Sequence, residues 1–141
     1  MQKRNKKSST DWTYEGKPIS SPPEGEYGFV YIITHIESGR RYLGQKRFYT
    51  QKTKTTKTQG KIKKTKVRAE SNWQSYYGSS TDLLADVEQF GAAAFTREIV
   101  RFCSSISDLN YYEAKYQFQL EVLESDLWYN KWISIKTRGP I

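Results

Sequence analysis

Tyr31 and Tyr42 stand eleven residues apart in the stretch GFVYIITHIESGRRYLGQKR, residues 28–47, and two cations, Lys46 and Arg47, close it. A phenol ionises near pH 10, so a tyrosine serves as a base at neutral pH only where cationic neighbours lower that value. Lys46 and Arg47 are near enough along the chain to supply such a field. The plainer account of the two rings is cross-strand packing, because tyrosine suits strands and pairs across hairpins.

The positive charge continues beyond Arg47. Residues 46–68 hold ten Lys or Arg and no Asp or Glu, whereas residues 70–130 hold ten Asp or Glu against three basic residues. A block of like charge is either a solvated face or tail, or an arm for phosphate. On the second reading Lys52, Lys54, Lys57, Lys61, Lys63, Lys64, Lys66 and Arg68 displace counterions from nucleic acid, which supplies most non-specific affinity. Trp73, Tyr76 and Tyr77 then read as core residues or as stacking platforms for bases.

Other chemistry is excluded. Cys103 is the one cysteine and His35 the one histidine of the 141 residues, so an internal disulfide, a cysteine zinc site and any site needing two histidines are ruled out. Cys103 lies in the strand-like REIVRFC and reads as a small core residue. No apolar run reaches membrane-spanning length, and the basic N-terminus lacks a signal peptide's apolar stretch. The expectation is a protein of the cytoplasm with no membrane partner.

These residues must be held by a small set of elements. YGFVYIITHI and RRYLGQ read as two strands joined by a turn at Ser38-Gly39. Residues 46–70 sustain neither the helical nor the strand period and read as a long loop. STDLLADVEQFG reads as a helix capped by Ser80 or Thr81, with Leu83, Val87 and Phe90 on one stripe. AFTREIVRFC reads as a third strand. A second helix follows with Ser107 as its N-cap and Leu109, Tyr112 and Tyr116 on its apolar side. DLWYNKWISIK adds a short β-like run. The expected fold is α+β: a small three-stranded, mainly antiparallel sheet flanked by helices. Residues 1–25 read as a basic tail or loosely docked extension with Trp12 and Tyr14 as anchoring points, 26–136 as the domain with its insert at 46–69, and 137–141 as a tail.

FVYIIT followed, after seven residues, by YLG resembles the two signature strands of the GIY-YIG nuclease family. Phe29-Val30-Tyr31 stands where that family has Gly-Ile-Tyr, and Tyr42-Leu43-Gly44 where it has Tyr-Ile-Gly. Phe29 departs from the pattern, with Gly28 just before it. The likeness extends through Tyr77-Gly78-Ser79 leading into a helix, the acid of LNYYEAKYQ and the Tyr129-Asn130 pair. Bacteriophage homing-type, Seg-like members also share the Lys-rich insert and an ESxW segment, here Glu70-Ser71-Asn72-Trp73.

The resemblance implies a metal-dependent DNA endonuclease, phage-encoded and either of homing type or directed at host or competitor DNA in the host-cell cytoplasm. It implies that Glu113 holds one divalent metal and that Tyr42 or Tyr31 activates or orients water. Arg47, Lys46 or Arg68 would stabilise charge on the phosphate, and Asn130 would support a neighbouring side chain. Mg²⁺, with Mn²⁺ as a substitute, is the natural ion, since it keeps its waters and needs one or two carboxylates from the protein. The implied partner is double-stranded DNA, with two copies of the chain pairing on it. Homing members carry a separate DNA-binding domain after the nuclease; the length here leaves no room for one, so specificity would come from the insert, the N-terminal segment or a partner. Two rival readings are a basic nucleic-acid-binding module that has lost cleavage and a DNA-packaging accessory.

Overall fold

The computed structural model describes residues 10–141. Its strands are β1 (Trp12–Tyr14), β2 (Lys17–Pro18), β3 (Gly28–His35), β4 (Arg41–Arg47), β5 (Tyr49–Thr58), β6 (Lys61–Glu70) and β7 (Phe95–Cys103); its helices are α1 (Thr81–Phe90) and α2 (Ile106–Gln119). No helix among the described residues is long and apolar enough to cross a membrane.

The expected hairpin forms: β3 and β4 pair antiparallel, with Tyr31 opposite Gly44 and Ile33 opposite Tyr42. β7 lies antiparallel on the other side of β3. The sheet then extends further than three mainly antiparallel strands. β1 joins β7 in parallel and β2 follows at the outer edge, giving five strands in the order β2-β1-β7-β3-β4. The reason is one aromatic residue. Trp12 is 2% exposed, packs edge-on against Phe29 and Tyr31, and donates its indole N–H to the Trp73 carbonyl at 2.7 Å. Burying so large a ring docks a strand too short to show alternation in sequence. The expected N-terminal extension is therefore part of the sheet from Trp12 onward, while its residues 1–9 lie outside the described residues.

Strand alternation sorts the core into two layers. Phe29, Tyr31 and Ile33 face α1 through Leu83, together with Phe48, Trp73 and Phe95. Val30 and Leu43 face α2 through Leu109, together with Cys103, Val122 and Trp128. Burial pushes the Cys103 thiol up to about 11, in keeping with a core residue and not a nucleophile. The helix caps follow the expected chemistry with one shift. Ser80 accepts from the Leu83 N–H, but α2 starts two residues earlier than expected, with Ser105 and not Ser107 accepting from the Asp108 N–H. The C-terminal β-like run forms no strand: its contribution is a single bridge from Trp128 to Arg41.

The insert is ordered. β5 and β6 form a separate two-stranded ribbon of ten residues per strand, from Tyr49↔Glu70 to Thr58↔Lys61. Its turn, Gln59-Gly60, has positive φ at both residues, the geometry that matches strand twist in a two-residue hairpin. Nearly every side chain along it is exposed, so it shows no hydrophobic alternation, and it therefore reads as loop in sequence. The ribbon's root is fixed by Phe48, fully buried, whose N–H donates to the Tyr27 carbonyl while its own carbonyl accepts from Ser71.

Candidate active site

β4 is an edge strand of the five-stranded sheet, and the site is wrapped around it. Alternation sends Tyr42, Gly44 and Lys46 to the α1 face and Leu43, Gln45 and Arg47 to the α2 face. The open edge is covered by residues 127–130. Arg41 exchanges backbone hydrogen bonds with Leu127 and Tyr129, and the Asn130 amide bonds both the N–H and the carbonyl of Leu43, at 3.0 and 2.9 Å. Asn130, buried, thus acts as a one-residue strand beside the signature leucine. Tyr129 locks the same segment to α1 by donating its hydroxyl to Asp86 at 2.7 Å.

Gly44 explains itself sterically. A Cβ there would lie 2.6 Å from the Tyr31 hydroxyl oxygen and 2.9 Å from a ring carbon of Tyr42. The two phenols therefore close over a bare backbone, with ring centroids 6.2 Å apart. They are not equivalent. Tyr31 is 1% exposed, and its ring packs edge-on against Tyr76 at 6.1 Å between centroids. Tyr42 reaches the edge and lies 3.2 Å from the Ser79 hydroxyl.

Tyr42 opens onto a cleft of about 330 Å³ whose wall includes Ser79, Asp82, Glu113, Gln117 and Asn130. Glu113 arrives from α2, on the opposite face of the sheet. Its Oε1 accepts from Gln45 Nε2 at 2.8 Å, and the same amide donates to Asn110 at 2.8 Å. Burial pushes the Glu113 carboxyl up, and the Gln45 bond partly offsets this. Gln117, one turn along α2, donates to the Leu43 carbonyl, while its Oε1 is buried with no partner.

The electrostatics differ from the sequence expectation. Cations do not lower the phenols: burial chiefly raises Tyr42, and Glu113 and Tyr76 add to it against the Ser79 bond. Tyr31 is raised well above its ordinary value, again chiefly by burial. Lys46 shares the phenols' face, but its ammonium sits 4.2 Å over the Tyr76 ring, and burial lowers its pKa. Arg47 points to the other face, where it donates to the Tyr27 hydroxyl at 3.2 Å and lines a separate groove with Tyr49 and Arg68. Arg68 stacks on Tyr49 at 4.0 Å, at the ribbon root, and Lys52, Lys54, Lys57, Lys61, Lys63, Lys64 and Lys66 are all exposed along the ribbon. The cation in the cleft wall is instead Lys131, paired with Asp82 at 3.0 Å.

Several residues that shape the site carry no sequence signal of their own. Gln45 and Gln117 are amides of a kind common on surfaces. Arg97 is buried in β7 and donates to the carbonyls of Thr10, Gln74 and Tyr76, with its guanidinium 4.2 Å over Tyr77. It holds the 74–77 segment, and with it Tyr76, against the sheet.

The donor set suits a hard divalent cation. One partly buried carboxylate has an oxygen left over from its bond to Gln45, and an unpartnered amide oxygen lies in the same wall. Among the described residues no three His, Cys, Asp or Glu side chains cluster, so most ligands of such an ion would be waters, as Mg²⁺ favours.

A family model described as "Putative endonuclease segE, GIY-YIG domain" matches residues 12–133. The match begins at the first residue of β1 and runs past Asn130, so it takes in both the docked N-terminal strand and the edge cover. No curated protein and no solved structure matches the chain.

Proposed function

This chain belongs to the SegE-type GIY-YIG endonuclease domain family, and from that premise we propose that its cleft hydrolyses DNA phosphodiester bonds with a divalent metal held by Glu113. The observation that carries the reading is convergence. Tyr42 and Glu113 come from opposite faces of the sheet and meet at one edge, in one cleft. Mg²⁺, or Mn²⁺ in its place, would supply neutralisation of the charge that develops on the phosphate.

The chain's own residues do the rest. Gln45 engages Oε1 of Glu113 and so presents the other carboxylate oxygen to the cleft. Tyr42, kept neutral by burial, orients the attacking water through its hydroxyl, with Ser79 fixing the rotor. Tyr31 supports Tyr42 from beneath, and Asn130 holds the strand that carries both Tyr42 and Gly44 in place. Lys46 is the candidate cation for the phosphate, because it shares the phenols' face and Arg47 does not. The ribbon lysines bind the DNA backbone. The Seg-like resemblance extends the reading to a phage enzyme of homing type, or one that cuts competing DNA. One Tyr42–Glu113 cleft among the described residues implies two copies on the duplex, or two sequential nicks, for a double-strand break.

The test is supercoiled plasmid with Mg²⁺ or Mn²⁺, wild type against Glu113→Ala. The wild type converts the plasmid to nicked or linear forms and the variant does not. A wild type that shifts the plasmid yet leaves it uncut with both metals identifies a binding module that does not cleave.

A further inference from the structure

The register of the ribbon distributes its charge in a way the sequence does not reveal. Directly opposed residues of an antiparallel pair share a face. One face therefore carries Lys57, Lys64, Lys66 and Arg68, and the other carries Lys52, Lys54, Lys61 and Lys63. Each face has four cations, and no cation stands directly opposite another. Lys64, Lys66, Lys61 and Lys63 face threonines, Lys54 faces Thr65, Lys52 faces Val67, Lys57 faces Ile62 and Arg68 faces Gln51. Like charges opposite one another would destabilise a hairpin that has no core beneath it, and this register avoids them on every rung.

We infer that the ribbon inserts on edge into the major groove of a B-form duplex, with each face meeting the phosphates of one strand. A flat anionic surface would engage one face and leave four cations unused, whereas a groove has charged walls on both sides. The sizes agree. Ten residues of antiparallel strand span about 34 Å, close to one duplex turn. The B-form major groove is about 12 Å wide and admits a two-stranded ribbon. The A-form major groove is deep and narrow and does not admit side chains. The ribbon root at Tyr49 lies seven residues along from Tyr42, on the order of 24 Å of extended chain, so groove and cleft engage the same stretch of duplex. The inference names the substrate of the proposed endonuclease as B-form duplex, and rests on that reading for this link alone.

The experiment measures binding without cleavage, in chelator. Anisotropy titrations between about 50 and about 200 mM salt use a B-form DNA duplex and an RNA duplex of the same sequence. Three proteins are compared: wild type, a variant with Lys57, Lys64, Lys66 and Arg68 all changed to Gln, and a variant with Lys52, Lys54, Lys61 and Lys63 all changed to Gln. On DNA each variant lowers the slope of log affinity against log salt by about 3 to 4, since each phosphate contact contributes about 0.9. On the RNA duplex neither variant changes the slope by more than about 1. A fall confined to one variant overturns the inference, because the ribbon then lies flat. Equal falls on RNA overturn it too, because the contact is then simple polyanion attraction. Hydroxyl-radical footprinting of the wild type gives a second readout independent of the variants: protection on both strands flanking one major groove supports insertion, and protection on one strand overturns it. Plasmid cleavage is scored separately. Its absence beside a two-faced salt response sinks the endonuclease reading and leaves the groove contact standing.

Discussion

The side-chain amide of Gln45 donates to Oε1 of Glu113 at 2.8 Å, tying the edge strand to helix α2 at the point where the cleft opens. The bond sets the carboxylate's direction and also its charge. Burial favours the neutral acid, and the Gln45 N–H favours the ionised form.

That balance predicts a pH shift. In the proposed mechanism the ionised carboxylate is the form that would hold the cation, so cleavage falls as pH drops through the Glu113 pKa. Gln45→Leu removes the influence that lowers this pKa and leaves the burial that raises it. The acid limb of the cleavage profile therefore moves to higher pH, while the plateau at alkaline pH drops less than it does for Glu113→Ala. Single-turnover rates across pH with Mg²⁺ check this; an unmoved acid limb shows that Glu113 is not the titrating group.

Gly44→Ala tests the bare backbone beneath the phenols. The added methyl would stand 2.6 Å from the Tyr31 oxygen, in a region where Tyr31 has no room to withdraw. Overpacking of this kind costs about 1–3 kcal/mol, so the denaturation midpoint falls and cleavage falls with it. Equilibrium unfolding beside plasmid nicking measures both, and a variant as stable as wild type contradicts the packing argument.

The two phenols predict opposite signatures. Tyr42→Phe removes a hydroxyl at the cleft and lowers the cleavage rate about 10²-fold or more, in the range of positioned proton-handling groups, with little change in stability. Tyr31→Phe removes a hydroxyl buried in the core beside Tyr76 and costs about 1 kcal/mol of stability, with the smaller effect on rate. Rate and unfolding measured on the same preparations separate the two; equal rate losses would place both hydroxyls at the reaction.

Lys46 and Arg47 are adjacent in sequence and opposite in orientation. Lys46→Ala lowers the cleavage rate at saturating DNA by an order of magnitude or more, the scale of one lost charge contact to phosphate. Arg47→Ala leaves that rate within a few-fold and acts, if anywhere, on affinity. Rates at saturating DNA distinguish them, and the reverse ranking would move the catalytic cation to the groove at Tyr27.

Both helices were legible along the chain because each buries one face and burial writes a period into the residue types, while β3, buried on both faces, was legible through its β-branched and aromatic residues and the Ser38-Gly39 turn. Tyr42 and Glu113 were legible through the likeness to a nuclease family, not through spacing, since 71 residues separate them. The opposite orientation of Lys46 and Arg47 was not legible, because both fell in the stretch read as loop and only the structure extends β4 through Arg47. The ribbon left no such trace: with threonine and lysine exposed on both sides, only its backbone pairing defines it. β1 was equally silent, being three residues held by one buried indole.

Composition and order along the chain thus specified the local elements and the chemistry carried by each, because those depend on neighbours within a few residues. Three matters were left to the packed molecule: that the Gln45 amide braces Glu113, how the phenols are tuned, and how eight ribbon cations divide between two faces. Each is a relation between segments distant in sequence, and burial and strand register create it only once the chain has folded.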